Sequence, residues 1–184
     1  MKLTDAVQFV RGIGPKKAEL LHKIGIDTLA DAVQCYPRGY EDRTAVVPIF
    51  ELTDGEKCCV HAIVGVQPQT AHIRKGMDVT NCRIYDETGV MSLRFFNNKY
   101  ASVTLEVGKE YAFYGKVQAE GRQFVMIAPE FEPVQVREKT GRILPVYPLT
   151  AGLHQKDMYK ITDAALRALP ADYPDFLPQD IREQ

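Results

Sequence analysis

Apolar positions in the first third of the chain recur at helical spacing. Leu3, Val7 and Val10 fall at i, i+4 and i+7, which predicts one face of a first helix. Pro15 predicts the start of a second, because the N–H that proline lacks has no partner at a first helical position; Leu20, Leu21 and Ile24 supply its buried stripe and Gly25 ends it. Thr28 and Asp31 have the form of a capping box. They predict a third helix with Leu29, Ala32, Val33 and Tyr36 on one face, stopping at Pro37. Helices joined so tightly are expected to pack as a hairpin region over residues 1–55.

From about Glu56 the period changes to two and β-branched and aromatic residues accumulate, which predicts strands. Val60, Ala62, Val64 and Val66 alternate in the first, Thr80, Cys82 and Ile84 in the second, Met91, Leu93 and Phe95 in the third, and Phe113, Gly115 and Val117 in the fourth. A fifth runs from Phe124 to Ala128. Asp86-Glu87-Thr88-Gly89 joins the second strand to the third as a short hairpin, with Gly89 free to take a positive φ. Lys99–Thr104 is placed to hold a helical turn between the third and fourth. Five strands with a connector after the third fit a Greek-key OB barrel over residues 56–135 better than a sandwich, which needs about seven.

After Pro133 the pattern becomes irregular, then Met158, Ile161, Ala165 and Leu169 mark one side of a last helix. Residues 136–184 read as a linker segment and helix, with Pro174, Pro178 and a helix start at Asp180 pointing to further chain beyond. The fold class is therefore α+β: an N-terminal helical hairpin region, a five-stranded barrel and a C-terminal linker helix.

Composition narrows the function. The chain has 184 residues, 45% of them hydrophobic and 26% charged, a normal globular balance. No apolar run approaches the roughly 18–20 residues of a membrane helix, and Met1-Lys2-Leu3-Thr4-Asp5 is no signal peptide, so a soluble, cytoplasmic protein is expected. Cys35, Cys58, Cys59 and Cys82 include no Cys-x-x-Cys and are expected to be reduced and structural. His22, His61, His72 and His154 are too scattered for a metal site. No G-x-x-x-x-G-K-[ST] loop is present, and adjacent acidic pairs such as Glu41-Asp42 and Asp86-Glu87 diverge on a strand. No catalytic residue, metal or cofactor is expected in this chain. A net charge of −1 excludes nucleic-acid binding by bulk charge, so any such site is a local patch.

Two stretches offer that patch. In Val10-Arg11-Gly12-Ile13-Gly14-Pro15-Lys16-Lys17, which has helix-hairpin-helix form, Gly12 and Gly14 permit a tight turn whose N–H groups face a phosphate, beside Lys16 and Lys17. The same glycines equally serve two helices that only turn sharply and pack. The third strand is more informative. Its alternation puts Phe95 in the core and Phe96 outside, on the side of Arg94, with Arg83 and Asn81 on the matching parity across the hairpin. Arginine meets phosphate and an exposed ring stacks on an unpaired base. Tyr100 and Lys99, one helical turn beyond Phe96, are expected to extend this surface, with Asn97 among its contacts and Arg74 and Lys75 in a neighbouring loop. A covered Phe96 with ordinary solvated arginines is the competing reading.

Several ordered blocks carry a family resemblance: Gly12-Ile13-Gly14-Pro15-Lys16-Lys17-Ala18, Tyr36-Pro37-Arg38-Gly39-Tyr40-Glu41-Asp42-Arg43-Thr44, Arg94-Phe95-Phe96-Asn97, and Pro145-Val146-Tyr147-Pro148-Leu149-Thr150-Ala151-Gly152-Leu153. Over nearly its whole length the chain resembles the N-terminal wedge region of the bacterial RecG helicases. The resemblance implies an OB-fold wedge that enters stalled replication forks and Holliday junctions in recombination and repair. It implies stacking by Phe96 and Tyr100 and basic residues around the wedge that hold the arms, for which the residues read above, Arg83, Arg94, Lys99, Asn97, Arg74 and Lys75, are the candidates along the DNA backbone. It also implies C-terminal motor domains, absent here, that use ATP and Mg2+. Branched DNA and those motors are the expected partners of a monomer; single-strand-binding protein is the partner in the alternative reading, a protein-interaction domain. Gly39, Ala151 and Ala128 depart from the arginine, acidic residue and histidine common in the family, which weakens a phosphate contact at Gly39.

Overall fold

The structure, a computed structural model, describes residues 1–171; the linker signals at Pro174, Pro178 and Asp180 lie outside the described residues. The chain forms two compact units, one of Met1–Tyr40 with the chain from Pro145, the other of Glu41–Leu144. The first holds helices α1 (Pro15–His22), α2 (Leu29–Gln34) and, from the far end of the sequence, α4 (Gln155–Arg167). The helix expected in a linker therefore completes a core: Met158, Ile161 and Ala165 of α4 pack with Val7, Val10, Ile13, Leu21, Ile26 and Leu29. Leu169 lies past the last helical residue and is half-buried.

The helix expected over Leu3–Val10 is only a 3-10 turn at Val7–Phe9. Its backbone groups are used elsewhere. Leu29 and Ala30 N–H donate to the carbonyls of Asp5 and Leu3, and Val7 N–H donates to Asp27 O, so this segment runs against the entry to α2 instead of closing its own turns. The capping box forms as expected, with Asp31 N–H donating to Thr28 Oγ1 (3.3 Å) and Thr28 N–H to Asp31 Oδ2 (2.8 Å). Helix α2 stops at Gln34, and Tyr36, expected on its buried face, is exposed because the residue before Pro37 cannot continue a helix.

The second unit contains β2 (Lys57–Val64), β3 (Gln69–Arg74), β4 (Met77–Tyr85), β5 (Val90–Phe96), α3 (Lys99–Thr104), β6 (Glu110–Glu120), β7 (Gln123–Ile127) and β8 (Glu130–Pro133). β1 (Gly39–Asp42) and β9 (Ile143–Val146) form a two-stranded ribbon where the chain passes from one unit to the other and back. Five strands close a barrel in the order β2-β4-β5-β7-β6, with β6 returning to β2 over seven paired residues from Lys57↔Lys116 to Ile63↔Glu110. α3 follows the third barrel strand. This is the OB arrangement the strand pattern implies. Val60, Ala62, Val64, Cys82, Ile84, Met91, Leu93, Phe95, Phe113, Val117 and Met126 point into one core.

Three features depart from the expected barrel. The stretch expected as a loop between the first two strands is β3, paired with β4 from Gln69↔Asn81 to Arg74↔Met77. β8 adds to β6, so Ala112 and Tyr114, on the opposite parity from Phe113, are buried too. Gly89 does not take positive φ. Asp86 closes that turn instead, accepting from the Thr88 and Gly89 N–H groups (2.7 and 2.8 Å) and from Ile49 N–H (2.8 Å), and a Cβ at Gly89 would meet Ile49 Cγ2 at 3.0 Å.

Polar groups fasten both units. Arg43, buried, pairs with Glu41 (2.6 Å) and Glu130 (3.2 Å) and lies 3.9 Å from the Tyr114 ring centroid. Glu132 accepts from the N–H groups of Glu138, Lys139 and Thr140, holding the chain after β8. In the first unit the buried Asp157 pairs with Lys17 at 2.7 Å. Burial pushes its carboxyl up, but the Lys17 ammonium and the His154 N–H outweigh this and hold it below the ordinary range.

Lys17→Met is expected to lower unfolding free energy by about 1–3 kcal/mol at neutral pH, because it strands a buried carboxylate. A depressed carboxyl contributes stability above its unfolded pKa and loses it as pH falls through the folded value. Urea melts should therefore show the wild-type advantage wide at pH 7 and closing below about pH 4. Burial raises the Cys59 and Cys82 thiols to about 11. Both are expected to resist alkylation at pH 8 in the native chain and to react on unfolding, as peptide mass mapping would read.

Candidate nucleic-acid interface

The pleat of β5 decides what its side chains do. Met91, Leu93 and Phe95 are buried, while Ser92, Arg94 and Phe96 face outward; Phe96 keeps 40% of its surface exposed at the strand end. β4 pairs with β5 so that Asn81 sits opposite Arg94 and Arg83 opposite Ser92, putting both arginines on one outer face as the alternation implied.

That face lines a groove of about 530 Å³, walled by Gln69, Thr70 and Ala71 of β3 on one side and by Glu120, Gln123 and Phe124 of the β6–β7 hairpin on the other. Arg94 is not free in it. Its two terminal nitrogens donate to the two oxygens of Glu120 at 2.8 and 3.0 Å, a fork-to-fork pair that holds the Glu120 carboxyl below the ordinary range. Arg83, exposed on the same wall, has no ion-pair partner among the described residues.

Asn97 fixes the strand end. It adopts φ +49°, its Oδ1 accepts from Asp78 N–H (2.8 Å) and its Nδ2 donates to Gly76 O (3.0 Å). The side chain expected as a backbone contact is thus committed to the β3–β4 turn. It ties the end of β5 to the turn that carries the exposed Arg74 and Lys75.

Tyr100 is not carried on a helix continuous with Phe96. Asn97 and Asn98 break the chain, Asn98 caps α3 by accepting from Ala101 N–H (3.1 Å), and the Tyr100 ring stacks on Phe131 at 5.6 Å and 23°. Phe131 in turn meets the core ring of Phe95 edge-on. Tyr100 therefore closes one end of the barrel with one ring face, yet keeps 66% of its surface exposed, and Lys99 beside it is exposed.

The glycine-rich turn of the first unit lies beside α4. Gly12, at φ +89°, lies where a Cβ would come within 3.2 Å of Lys160 Nζ on α4, and Gly14 is the extended N-cap of α1. Lys17 is tied to Asp157 and to Gly12 O, while Lys16 is exposed. With a 3-10 turn in place of its first helix, the motif lacks one of its two helical arms.

Glu120, Gln123 and Phe124 were not among the residues marked by the sequence. No local signal could have found them, since only the parallel β5–β7 pairing, Ser92↔Val125 to Arg94↔Ile127, brings that hairpin beside Arg94. Among the described residues no three His, Cys, Asp or Glu side chains are grouped to hold a metal, and no helix is long and apolar enough to cross a membrane.

Residues 6–169 match the family model of the RecG wedge domain. The chain is 32% identical to the ATP-dependent DNA helicase RecG of Thermotoga maritima, over 99% of this chain and 24% of that protein. It is 33% identical to the RecG helicase of Escherichia coli K12, over 91% of this chain and 25% of that protein. A solved structure of RecG bound to a three-way DNA junction superposes with a TM-score of 0.85 at 30% identity, covering 100% of this chain and 25% of the other. The chain thus spans about a quarter of the length of these relatives. The matched blocks, the barrel order and this superposition agree, and the chain belongs to the RecG wedge domain family.

Proposed function

We propose that this chain is the strand-separating wedge of a RecG-type helicase. It binds branched DNA, stalled forks and three- or four-way junctions, and splits the arms as motor domains elsewhere in the parent protein hydrolyse ATP with Mg2+ and draw the duplex past it. The observation that carries the reading is Phe96: an exposed ring at a strand end that Asn97 braces against the turn bearing Arg74 and Lys75. The junction-bound relative supports it.

The energetics fit a passive wedge. Unstacking a base step costs about 1.4 kcal/mol on average, and a base stacked on an aromatic ring recovers about 1–3 kcal/mol. Phe96, with the open face of Tyr100, therefore offsets the local cost of opening without driving it, and net unwinding is left to the motor. Arg74, Lys75, Arg83 and Lys99 serve phosphates along the arms, Arg94 joins them once released from Glu120, and Asn97 acts by holding the tip. In the first unit, Lys16 with the Gly12 and Gly14 turn offers a weaker phosphate contact. A second reading, docking of a protein such as the motor or single-strand-binding protein, is favoured by Val103, which leaves α3 81% exposed beside Tyr100. A pull-down after nuclease treatment separates the two.

Phe96→Ala is expected to weaken binding of a three-way fork by roughly 5- to 150-fold, the loss of about 1–3 kcal/mol of stacking, with an unchanged circular-dichroism spectrum. Unchanged affinity, or a wild-type preference for plain duplex in the same mobility shifts, overturns the wedge reading. With Arg74, Lys75, Arg83, Lys99 and Arg94 as at most five phosphate contacts, log affinity should fall with log salt at a slope no steeper than about −4.5.

A further inference from the structure

Arg94 is the best placed cation in the groove and it already holds an anion. The Glu120 carboxylate meets its guanidinium through two parallel bonds, at 2.8 and 3.0 Å, in the geometry by which arginine grips a phosphate. The two residues come from different elements, β5 and the tip of the β6–β7 hairpin, and both line the groove, so their pairing occupies the wall that a nucleic-acid strand would follow. Both side chains are partly exposed, 32% and 49%, so the pair is open to exchange with a solvated anion and is worth little as a stability element. Arg83, on the same wall, carries no such counter-ion among the described residues.

We propose that Glu120 is a specificity-determining residue, an internal phosphate mimic that holds Arg94 in its gripping pose and must be displaced before a DNA strand can use it. The proposal rests on the wedge reading for its ligand. A strand that reaches only the groove exchanges one anion for another at Arg94 and gains almost nothing there. A branched substrate held by the Phe96 ring and the other cations binds without needing Arg94 and so bears less of that exchange. Glu120 thereby lowers affinity for stray single strands more than for forks, which suits a chain whose net charge is −1 and whose basic residues are local.

The test is a double-mutant cycle on the 184-residue chain, measuring affinity for a single strand and a three-way fork across salt. Glu120→Gln is expected to tighten single-strand binding by roughly 3- to 10-fold and fork binding by less, and to steepen the single-strand salt slope by about 0.7, one further phosphate contact. In an Arg94→Ala background the same substitution should change neither affinity. If it tightens binding equally there, Glu120 acts only as bulk negative charge and the proposal falls. It also falls if Glu120→Gln alone leaves single-strand affinity unchanged, or if neither it nor the wild type binds. Failure of the wedge reading looks different: fork and duplex then bind alike and Phe96→Ala has no effect, while the Arg94-dependent gain from Glu120→Gln on single strands persists.

Discussion

Closure of the β2-β4-β5-β7-β6 wall is the constraint on which the rest of the second unit depends. A closed wall has one inside, so every strand that joins it must put alternate residues in the core and the others on the outer face. On β5 this separates two adjacent phenylalanines into opposite duties: Phe95 is fully buried and Phe96 stands out at the strand end. A one-residue slip against β4 would bury Arg94 and expose Leu93, so register and surface chemistry are set by the same choice. The seven-pair return of β6 to β2 leaves little room for that slip.

The loops around the wall are held by polar side chains rather than by their own backbone. Asp86, Arg43 and Asn97 gather groups distant in sequence and Glu132 gathers the chain just after β8, each with more than one hydrogen bond or charge pair at once. Groups engaged at several atoms fix geometry sharply, because losing any one partner strands the others, although the buried Arg43 Nε itself has no hydrogen-bond partner. Asn97 shows the consequence for function. Its amide uses both ends to join the β3–β4 turn to the end of β5, so the strand end that carries Phe96 is braced against that turn. The same logic recurs in the first unit, where Asp157 of α4 receives Lys17 of α1.

Positive charge on this chain is local rather than bulk. The chain is almost neutral overall, and one of the two groove arginines is already neutralised by a carboxylate in phosphate-like geometry. Affinity under the wedge reading then depends on combining a ring with a few local cations, which a branch point satisfies and a plain strand does not.

The sequence by itself determined the local features. Period two on β2, β4 and β5, the Thr28–Asp31 capping box, the opposed directions of Phe95 and Phe96 and the shared face of Arg83 and Arg94 follow from short-range geometry that neighbouring residues dictate. The ordered blocks around Gly12, Tyr36, Arg94 and Pro145 carried the family as well. Only the tertiary structure decided what depends on distant partners. Leu3–Val10 has helical spacing but spends its hydrogen bonds on α2, and the C-terminal helix is a core element because Met158 and Ile161 meet Leu21 and Leu29. Tyr100 turns its ring onto Phe131, and Glu120 reaches Arg94 through a parallel strand pairing. The physical reason is common to all four. Periodicity records which face of an element is apolar, whereas the atoms that meet that face are selected by chain closure over long sequence separations, for which no local pattern exists.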